Sequence, residues 1–399
     1  MLVQTLKGFR DFLPQEAKKR QYVIQTLKKA FESYGFEPLE TPALEYKEIL
    51  TGKYGDEGDK LMYTFQDNGG RDVALRYDQT VPLARVVAQY QNELSLPFKR
   101  FQIQPVWRAE NTQRGRFREF LQCDIDICGT KSSLSDAELL SLIYKGYSSL
   151  GFESFKILVN DRDLFKNLAQ KAITIIDKIK KIGKEEVIKE LQEIGVSSEV
   201  LEELLSAQKT DSLQDITSQA VLLGVPESVL VFEPTLARGL DYYTGIIIEV
   251  EIDGYTVGSV GGGGRYDNLI GMFAGKDIPA VGFAFGFDRI MDAMEEKNLF
   301  PSSVGNDDIL VTIFSPEYLE DSLSLLCTLR ENNITAQIYL DPQVKMEKQL
   351  KYADQKNISY VLILGPEEKE KNRITLKNMK TREQIQRSLQ EILQLLAKN

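Results

Sequence analysis

Histidine is absent from the 399 residues of this chain. No imidazole of the protein can therefore act as a general base, a nucleophile or a metal ligand. This absence argues against most hydrolase mechanisms and most zinc enzymes. Any catalysis has to rest on charge, hydrogen bonding and the positioning of substrates.

Cysteines are few, and long apolar runs are missing. The chain has three cysteines, Cys123, Cys128 and Cys327, and none lies in a CxxC pair. An odd, sparse count argues against a disulfide framework and a structural zinc site, and it fits a reducing compartment. No stretch approaches the ~20 apolar residues that span a bilayer, and residues 1–10 lack an apolar signal core. We therefore expect a cytoplasmic protein without a membrane segment.

An excess of basic residues is missing as well. The chain carries 49 Lys and Arg against 59 Asp and Glu, a net charge of −10. This balance argues mildly against nucleic acid, but binding depends on local basic stripes rather than on net charge. Residues 178–181 and 369–380 are candidate stripes, although a solvated helix face or loop is the commoner interpretation of such runs.

The patterns that are present divide the chain into segments. Residues 1–160 and 231–300 mix strand-like alternation with helical periods, which predicts an α+β domain. Within it, Thr80 is a candidate N-cap of a helix. Residues 161–230 have helical periods and are interpreted as a helical insertion. After a linker at 297–306, residues 307–399 alternate, which predicts an α/β domain with a largely parallel sheet and a last helix over 381–397.

The densest polar cluster is WRAENTQRGRFREFLQCDIDI, residues 107–127. Four arginines, Arg108, Arg114, Arg116 and Arg118, fall within eleven positions of it. Guanidinium groups bind phosphate oxygens in a bidentate manner. Because strand-like segments flank this loop, its arginines could converge on one ligand. An exposed basic hairpin tip is the alternative.

The strand that follows this loop has a polar face. Gln122, Asp124 and Asp126 alternate with apolar residues, so they point to one side of a sheet. Gln122 and Asp126 are ~13 Å apart along an extended backbone. Buried polar groups need partners. This pair could therefore hold the two ends of a ligand of amino-acid size.

Residues 107–127 resemble motif 2 of the class II aminoacyl-tRNA synthetases in its histidyl form. Further blocks are similar to segments of the same family: 35–42 (motif 1 with its proline), 75–85 (LRYDQTVPLAR, an amino-acid-binding segment), 236–245 (LARGLDYYTG, the histidine-specific loop), 258–272 (GSVGGGGRYDNLIGM) and 280–290 (AVGFAFGFDRI, motif 3). The resemblance covers nearly the whole chain, and the combination of blocks is specific.

The resemblance implies a fold and an activity. It implies an antiparallel six-stranded sheet flanked by helices, a helical insertion over the tRNA acceptor arm, and a C-terminal α/β anticodon-binding domain. Motif 1 implies a homodimer. The implied substrates are L-histidine, ATP with Mg²⁺, and tRNA(His). Histidine would first form an adenylate with release of pyrophosphate, and the tRNA 3′ end would then accept the histidyl group.

The resemblance also assigns roles to individual residues. The residues implied to bind ATP are Arg108, Glu110, Arg116, Arg118, Arg238 and Arg289. The residues implied to bind histidine are Asp78, Gln79 through its backbone, Thr80, Gln122, Asp126, Tyr242, Tyr243 and Tyr266. Arg108, Arg238 and Arg289 are the implied catalytic residues.

Two other functions remain open from the sequence. One is a regulatory paralogue that senses histidine without charging tRNA. Such paralogues typically lack the anticodon-binding domain and the catalytic arginines, whereas this chain has a domain at 307–399 and retains Arg108, Arg238 and Arg289. The other is a non-catalytic RNA-binding module. The run Gly261 to Gly264 does not match a dinucleotide-binding GxGxxG, so we expect close approach of a ligand to the backbone there, with a flexible turn as the alternative.

Overall fold

The computed structural model describes residues 3–53, 55–238, 242–302, 304 and 309–396. The chain divides into two compact units. The first comprises Met1–Asp11 and Val23–Leu299, and the second comprises Phe12–Tyr22 and Phe300–Asn399. Among the described residues, no helix has both the length and the apolar composition that a membrane span requires.

The strands up to residue 299 are short at the edges and long in the middle of the main sheet. They are β1 (Glu37–Pro38), β2 (Leu44–Tyr46), β3 (Thr64–Gln66), β4 (Asp72–Leu75), β5 (Phe98–Trp107), β6 (Glu119–Cys128), β7 (Phe155–Asp161), β8 (Leu230–Phe232), β9 (Ile246–Ile252), β10 (Gly261–Arg265) and β11 (Ala280–Phe285).

The helices over the same range include five within the predicted helical insertion, α6 to α10. They are α1 (Pro14–Ser33), α2 (Lys47–Leu50), α3 (Gly55–Lys60), α4 (Thr80–Gln89), α5 (Ser133–Ser149), α6 (Gln170–Ile176), α7 (Ile179–Ile182), α8 (Lys184–Glu193), α9 (Glu199–Leu205), α10 (Asp211–Leu222), α11 (Gly271–Ala274) and α12 (Phe287–Glu296).

The main sheet has the strand order β1-β5-β6-β11-β10-β9-β7-β8. The six strands from β5 to β7 in this order pair antiparallel throughout. The expected six-stranded antiparallel sheet is therefore confirmed. Two short strands extend it, because β1 pairs parallel with β5 and β8 pairs parallel with β7. A separate three-stranded sheet, β2-β4-β3, precedes α4.

Aromatic packing covers one face of the main sheet. Phe31 of α1 lies 5.6 Å from Phe101 of β5 and 5.4 Å from Phe285 of β11, measured between ring centroids. Tyr147 of α5 lies 5.2 Å from Phe285. All four rings are buried. Since neighbouring residues of a strand point to opposite faces, residues 100, 102, 124, 126, 282 and 284 face away from these helices.

Helix α4 begins differently from the expectation. Thr80 is its first helical residue, and the Asp78 Oδ1 accepts hydrogen bonds of 3.1 Å from the backbone N–H groups of Thr80 and Val81. Asp78 therefore caps the helix, and the expected cap at Thr80 is wrong. A carboxylate is a strong acceptor for the unpaired N–H groups of a first turn, and it is also favoured by the helix dipole.

The second unit has a mixed sheet. Its elements are β12 (Ile309–Val311), α13 (Leu319–Glu331), β13 (Ala336–Ile338), α14 (Met346–Gln355), β14 (Tyr360–Ile363), α15 (Pro366–Glu370), β15 (Ile374–Asn378), β16 (Gln384–Arg387) and α16 (Leu389–Leu396). The order is β13-β12-β14-β15-β16. Strand β12 pairs parallel with β13 and β14, whereas β15 pairs antiparallel with β14 and β16. The sheet is thus less parallel than expected.

The last helix is shorter than the predicted 381–397. Residues 384–387 form β16, and α16 begins at Leu389. Ser388 and Glu391 explain this start, because the Ser388 Oγ accepts from the Glu391 N–H and the Glu391 carboxylate accepts from the Ser388 N–H. This reciprocal arrangement is a capping box, which stops the helix from extending toward its N-terminus.

Candidate active site

Two rows of paired residues cross the sheet on the face away from α1 and α5. The first row, from β5 to β9, is Arg100, Asp126, Gly282, Gly264 and Ile247; the second is Gln102, Asp124, Ala284, Gly262 and Glu249. The residues in β11 and β10 are small, whereas those in β5, β6 and β9 are larger. The middle of the sheet therefore forms a trough.

The glycines of this trough make room for side chains. A Cβ added at Gly262 would lie 1.5 Å from the Arg238 Nη1, and one at Gly282 would lie 1.8 Å from the Asp126 Oδ1. A Cβ at Gly264 would come within 2.8 Å of the Tyr243 ring. The run 261–264 is part of a strand, so the flexible-turn alternative is wrong. Side chains of the protein come close to Gly262 and Gly282, and close approach of a ligand to the run 261–264 stays a prediction.

A cavity of about 690 Å³ lies in the trough. Of the predicted site residues, it is lined by Asp78, Thr80, Arg108, Glu110, Arg116, Gln122, Asp126, Arg238, Tyr242, Tyr243 and Tyr266. We call it the first cavity. The structure thus brings together all the predicted histidine-binding side chains except that of Gln79, which was predicted to act through its backbone. Residues 239–241 of the predicted histidine-specific loop lie outside the described residues.

A second cavity, of about 390 Å³, shares part of this wall. Arg108, Glu110, Arg116, Gln122 and Arg238 line both cavities, and Arg289 lines only the second. Arg108 follows the end of β5, whereas Arg238 lies over Gly262 of β10. Strands β6 and β11 run between them, so two of the predicted catalytic arginines approach the trough from opposite sides.

Two of the predicted site residues, Gln79 and Arg118, lie outside both cavities, and so does Arg114 of the arginine-rich loop. The Gln79 side chain is buried, and its amide donates to the Gln104 carbonyl at 2.8 Å. Arg118 donates to the Glu110 carbonyl at 3.2 Å through its Nε. Arg114 is exposed and pairs with Asp292 at 3.0 Å and with Glu296 at 3.1 Å. Gln79 and Arg118 therefore support neighbouring segments.

Sequence reasoning missed Arg100. Its guanidinium is fully buried, and its Nη2 lies 2.8 Å from the Asp126 Oδ2. The other Asp126 oxygen accepts a hydrogen bond from the Tyr266 hydroxyl. The polar residues at positions 100, 102 and 104 of β5 were a signal for this pairing. They lie opposite Asp126, Asp124 and Gln122, respectively.

Two buried acceptor atoms in the first cavity have neither a hydrogen bond nor an ion pair with any of the described residues. They are the Asp124 Oδ1 and the Gln122 Oε1. Burial raises the pKa of Asp124 well above its usual range, although Arg100 opposes this effect. Burial also raises the pKa of Asp126, and Arg100 and Tyr266 oppose that rise. Buried unpaired acceptors are costly, so these atoms indicate a ligand that donates hydrogen bonds.

Three of the four arginines that line the second cavity have a carboxylate partner, since Arg238 pairs with Glu249 at 3.2 Å and Arg116 pairs with Glu110 at 3.6 Å. Arg108 stacks 4.4 Å from the Tyr77 ring centroid and lies 4.0 Å from Glu110. Arg289 donates to the Ser259 carbonyl at 2.6 Å, and no carboxylate of the described residues lies within ion-pairing distance of it. Burial and the neighbouring Arg116 lower the pKa of Arg289. A polyanion would balance this charge.

Comparisons with known proteins cover both parts of the chain. A family model described as histidyl-tRNA synthetase matches residues 8–194 and 171–290, and an anticodon binding domain matches residues 308–399. A histidine–tRNA ligase of Cytophaga hutchinsonii is 40% identical, covering 98% of each chain. One of Christiangramia forsetii is also 40% identical, covering 95% of each chain. The crystal structure of histidyl-tRNA synthetase from a Nostoc species superposes with a TM-score of 0.88 at 27% identity, covering 100% of this chain and 99% of that one.

The sheet, its helices and the appended domain define a class II aminoacyl-tRNA synthetase. Within that class, the chain belongs to the histidyl-tRNA synthetase family.

Proposed function

We propose that the first cavity binds histidine and that the second binds the phosphates of ATP, with the reaction taking place where their walls are shared. The chain is a histidine–tRNA ligase. It converts L-histidine and ATP to histidyl-adenylate and pyrophosphate, and it transfers the histidyl group to the 3′ end of tRNA(His). The individual residue roles below are our proposal.

The observation that carries the substrate assignment is the pair of unpartnered buried acceptors in the first cavity. Asp124 and Gln122 present an oxygen each, and Asp78 lies in the same wall. An α-ammonium group has three N–H donors and a positive charge, so it fits these acceptors. Asp124, which the sequence analysis did not assign, therefore joins Asp78, Thr80 and Gln122 at the amino end of the substrate.

The imidazole end of histidine would bind at Asp126 and Tyr243. The Asp126 Oδ2 lies within ion-pairing distance of Arg100, but it accepts no hydrogen bond from that residue. It can therefore accept a hydrogen bond from a ligand N–H. Tyr242 and Tyr266 would form the aromatic wall, with their ring centroids 5.9 Å apart. A pocket that satisfies both imidazole nitrogens rejects analogues without them, because its own buried polar groups would be left unpaired.

Adenylate formation then needs charge stabilisation rather than a base. The histidine carboxylate attacks the α-phosphorus of ATP, and the bond to the leaving pyrophosphate breaks. Arg108 and Arg238 would stabilise the α-phosphate from opposite sides, and Arg289 would hold the terminal phosphate. Glu110 would contact the nucleotide, and Arg116 its phosphates. Because the nucleophile is already a carboxylate, a chain without histidine loses nothing in this step.

Mg²⁺ would accompany ATP. Among the described residues, no group of three acidic or cysteine side chains could hold a metal by itself. Mg²⁺ usually binds through one or two carboxylates together with substrate phosphates. Glu110 and Glu249 of the second cavity fit that requirement. The ion would neutralise phosphate charge there.

The remaining parts of the proposal concern tRNA and assembly. We assign anticodon recognition to residues 307–399, catalysis to 1–160 and 231–300, and contact with the acceptor arm to the insertion at 161–230. The match of residues 308–399 to an anticodon binding domain supports the first assignment. By the motif 1 resemblance we expect a homodimer, and we expect it in the cytoplasm.

Histidine-dependent ATP–pyrophosphate exchange tests the proposed function. The wild-type chain should exchange with L-histidine and should charge tRNA(His). Arg108→Ala should abolish most of the exchange, whereas the control Arg114→Ala, at an exposed arginine of the same loop, should leave it near the wild-type level. Histidine binding without exchange in the wild type would instead support a regulatory role and refute the proposal.

A further inference from the structure

A carboxylate of the helical insertion holds the backbone that carries Arg238. The Asp177 Oδ1 accepts two hydrogen bonds, one of 2.8 Å from the Arg238 N–H and one of 3.2 Å from the Ala237 N–H. Asp177 is the C-cap residue of α6. One oxygen thus connects the end of an insertion helix to the residue whose side chain lies over Gly262 in the trough.

The Arg238 backbone needs such support. Its φ is +50°, in the left-handed region that residues with a side chain rarely adopt. Such a conformation costs free energy and persists only where its surroundings hold it. The Asn160 amide holds the preceding segment by donating to the Pro234 carbonyl at 3.0 Å and to the Leu236 carbonyl at 2.9 Å. At positions 237 and 238, the two N–H groups bond to Asp177.

The insertion is anchored in the wall of the first cavity. Ala172, Ile173 and Ile176 of α6 are buried in the same apolar cluster as Ala237 and Tyr243. Asp177 therefore sits at the end of a helix that cannot shift without disturbing this wall. The packing of α6 therefore limits how far Asp177 can move.

We propose that Asp177 is a positioning residue for adenylate formation, which acts by fixing Arg238 against the α-phosphate. The inference rests on the proposed role of Arg238. It makes the insertion part of the catalytic apparatus even when tRNA is absent. Because the Asp177 carboxylate also borders the second cavity, a direct role toward phosphate or metal has to be distinguished from positioning.

Two substitutions at Asp177 separate these roles. Asp177→Ala removes the acceptor, and we expect single-turnover adenylate formation to slow by about 10-fold to 10²-fold, the effect of misplacing a group by an ångström or less. The KM for histidine should hardly change. Asp177→Asn keeps an oxygen acceptor and should recover most of the lost rate. The control Asp163→Ala, at an exposed acid of the insertion, should match the wild type.

A double-mutant cycle with Arg238→Ala completes the test. If Asp177 acts through Arg238, adding Asp177→Ala to Arg238→Ala should cause no further loss of rate. A slow Arg238→Ala with a normal Asp177→Ala would overturn this inference alone, whereas a normal Arg238→Ala would overturn the proposed role of Arg238. If Asp177→Asn is as slow as Asp177→Ala, the charge acts directly and positioning is refuted.

Discussion

Arg100 and Asp126 form a buried ion pair across neighbouring strands, with 2.8 Å between the Nη2 and the Oδ2. Arg100 is completely inaccessible to solvent, and Asp126 is 3% exposed. Burying two charges costs desolvation energy that their attraction repays only in part. The pair therefore affects the charge of the Asp126 carboxyl more than the stability of the fold. Burial raises the pKa of Asp126 and Arg100 opposes that rise, so the pair favours the negative form of this carboxyl at the floor of the cavity.

Asp126 should determine the use of histidine. Asp126→Ala, and the isosteric Asp126→Asn, should raise the KM for histidine by about 10²-fold or more because the imidazole loses a charged, buried partner. The KM for ATP should change little. Pyrophosphate exchange at varied histidine and varied ATP measures both. An unchanged histidine KM would refute the assignment of Asp126 to the imidazole.

Stability must be checked in the same variants. Either substitution leaves Arg100 buried without its counter-charge, and breaking such a pair typically costs ~3–5 kcal/mol. Thermal unfolding should therefore shift to lower temperature in both variants. Kinetics should be measured well below that transition, where an intact ATP KM confirms that the chain is folded.

Arg100 should determine the pH dependence of histidine binding. Burial raises the pKa of Asp126, and Arg100 lowers it, so Arg100→Met should raise that pKa further. The ionised form then predominates only at higher pH. The KM for histidine in Arg100→Met, divided by the wild-type value, should increase as the pH falls.

The ratio removes the titration of histidine itself, whose imidazole ionises at a pKa of about 6.5 in both assays. Measurements from about pH 6 to pH 9 span the relevant ionisations. A ratio that stays constant over this range would show that Arg100 does not control the charge of Asp126.

Substitutions at two glycines should separate an effect on the rate of the reaction from an effect on histidine binding. Gly262→Ala would place its Cβ 1.5 Å from the Arg238 Nη1, and Gly282→Ala would place its Cβ 1.8 Å from the Asp126 Oδ1. Each substitution displaces a different side chain. Gly262→Ala should therefore lower kcat at saturating histidine, whereas Gly282→Ala should mainly raise the KM for histidine.

The two variants are controls for each other, since both add one methyl group to a central strand of the same sheet. Steady-state exchange kinetics distinguish their effects. If both variants change the same kinetic constant to the same extent, the assignment of Gly262 to the catalytic side of the trough and of Gly282 to its histidine-binding side is wrong.

Arg238 should act in the transition state. A guanidinium fixed beside the α-phosphate stabilises charge that develops as the histidine carboxylate attacks, so its loss should appear in turnover rather than affinity. Arg238→Ala should slow adenylate formation by ~10²–10³-fold, the usual cost of removing one preorganised donor. Arg238→Lys should not restore full activity, because an ammonium lacks the planar fork.

Rapid-quench measurement of adenylate formation tests this prediction, with transfer from preformed adenylate as the comparison. Transfer should suffer less, since the α-phosphate already carries its charge in the leaving group. Weaker histidine binding with an unchanged rate at saturation would make Arg238 a substrate clamp and remove its catalytic role.

The sequence by itself determined the elements and much of the chemistry. Alternation over residues 121–127 predicted the polar face of β6, because neighbouring strand residues point to opposite sides whatever the rest of the fold. Helical periods predicted the helices of residues 161–230 because burial of one helix face is a local pattern. The block at 107–127 predicted the arginines of the site, of which Arg108 and Arg116 line both cavities.

Only the tertiary structure decided which residues meet. Strand β11 lies between β6 and β10, so Gly282 is set beside Asp126, and Gly264 beside Gly282. No local pattern encodes that order or register, since both depend on how segments far apart in sequence pair. For the same reason the sequence did not show that Arg100 pairs with Asp126 of β6 or that the Gln79 side chain is buried. It also did not show that Asp177 of the insertion accepts a hydrogen bond from the backbone of Arg238. Periodicity reports whether a residue is buried, whereas its partner depends on the packing of the whole unit.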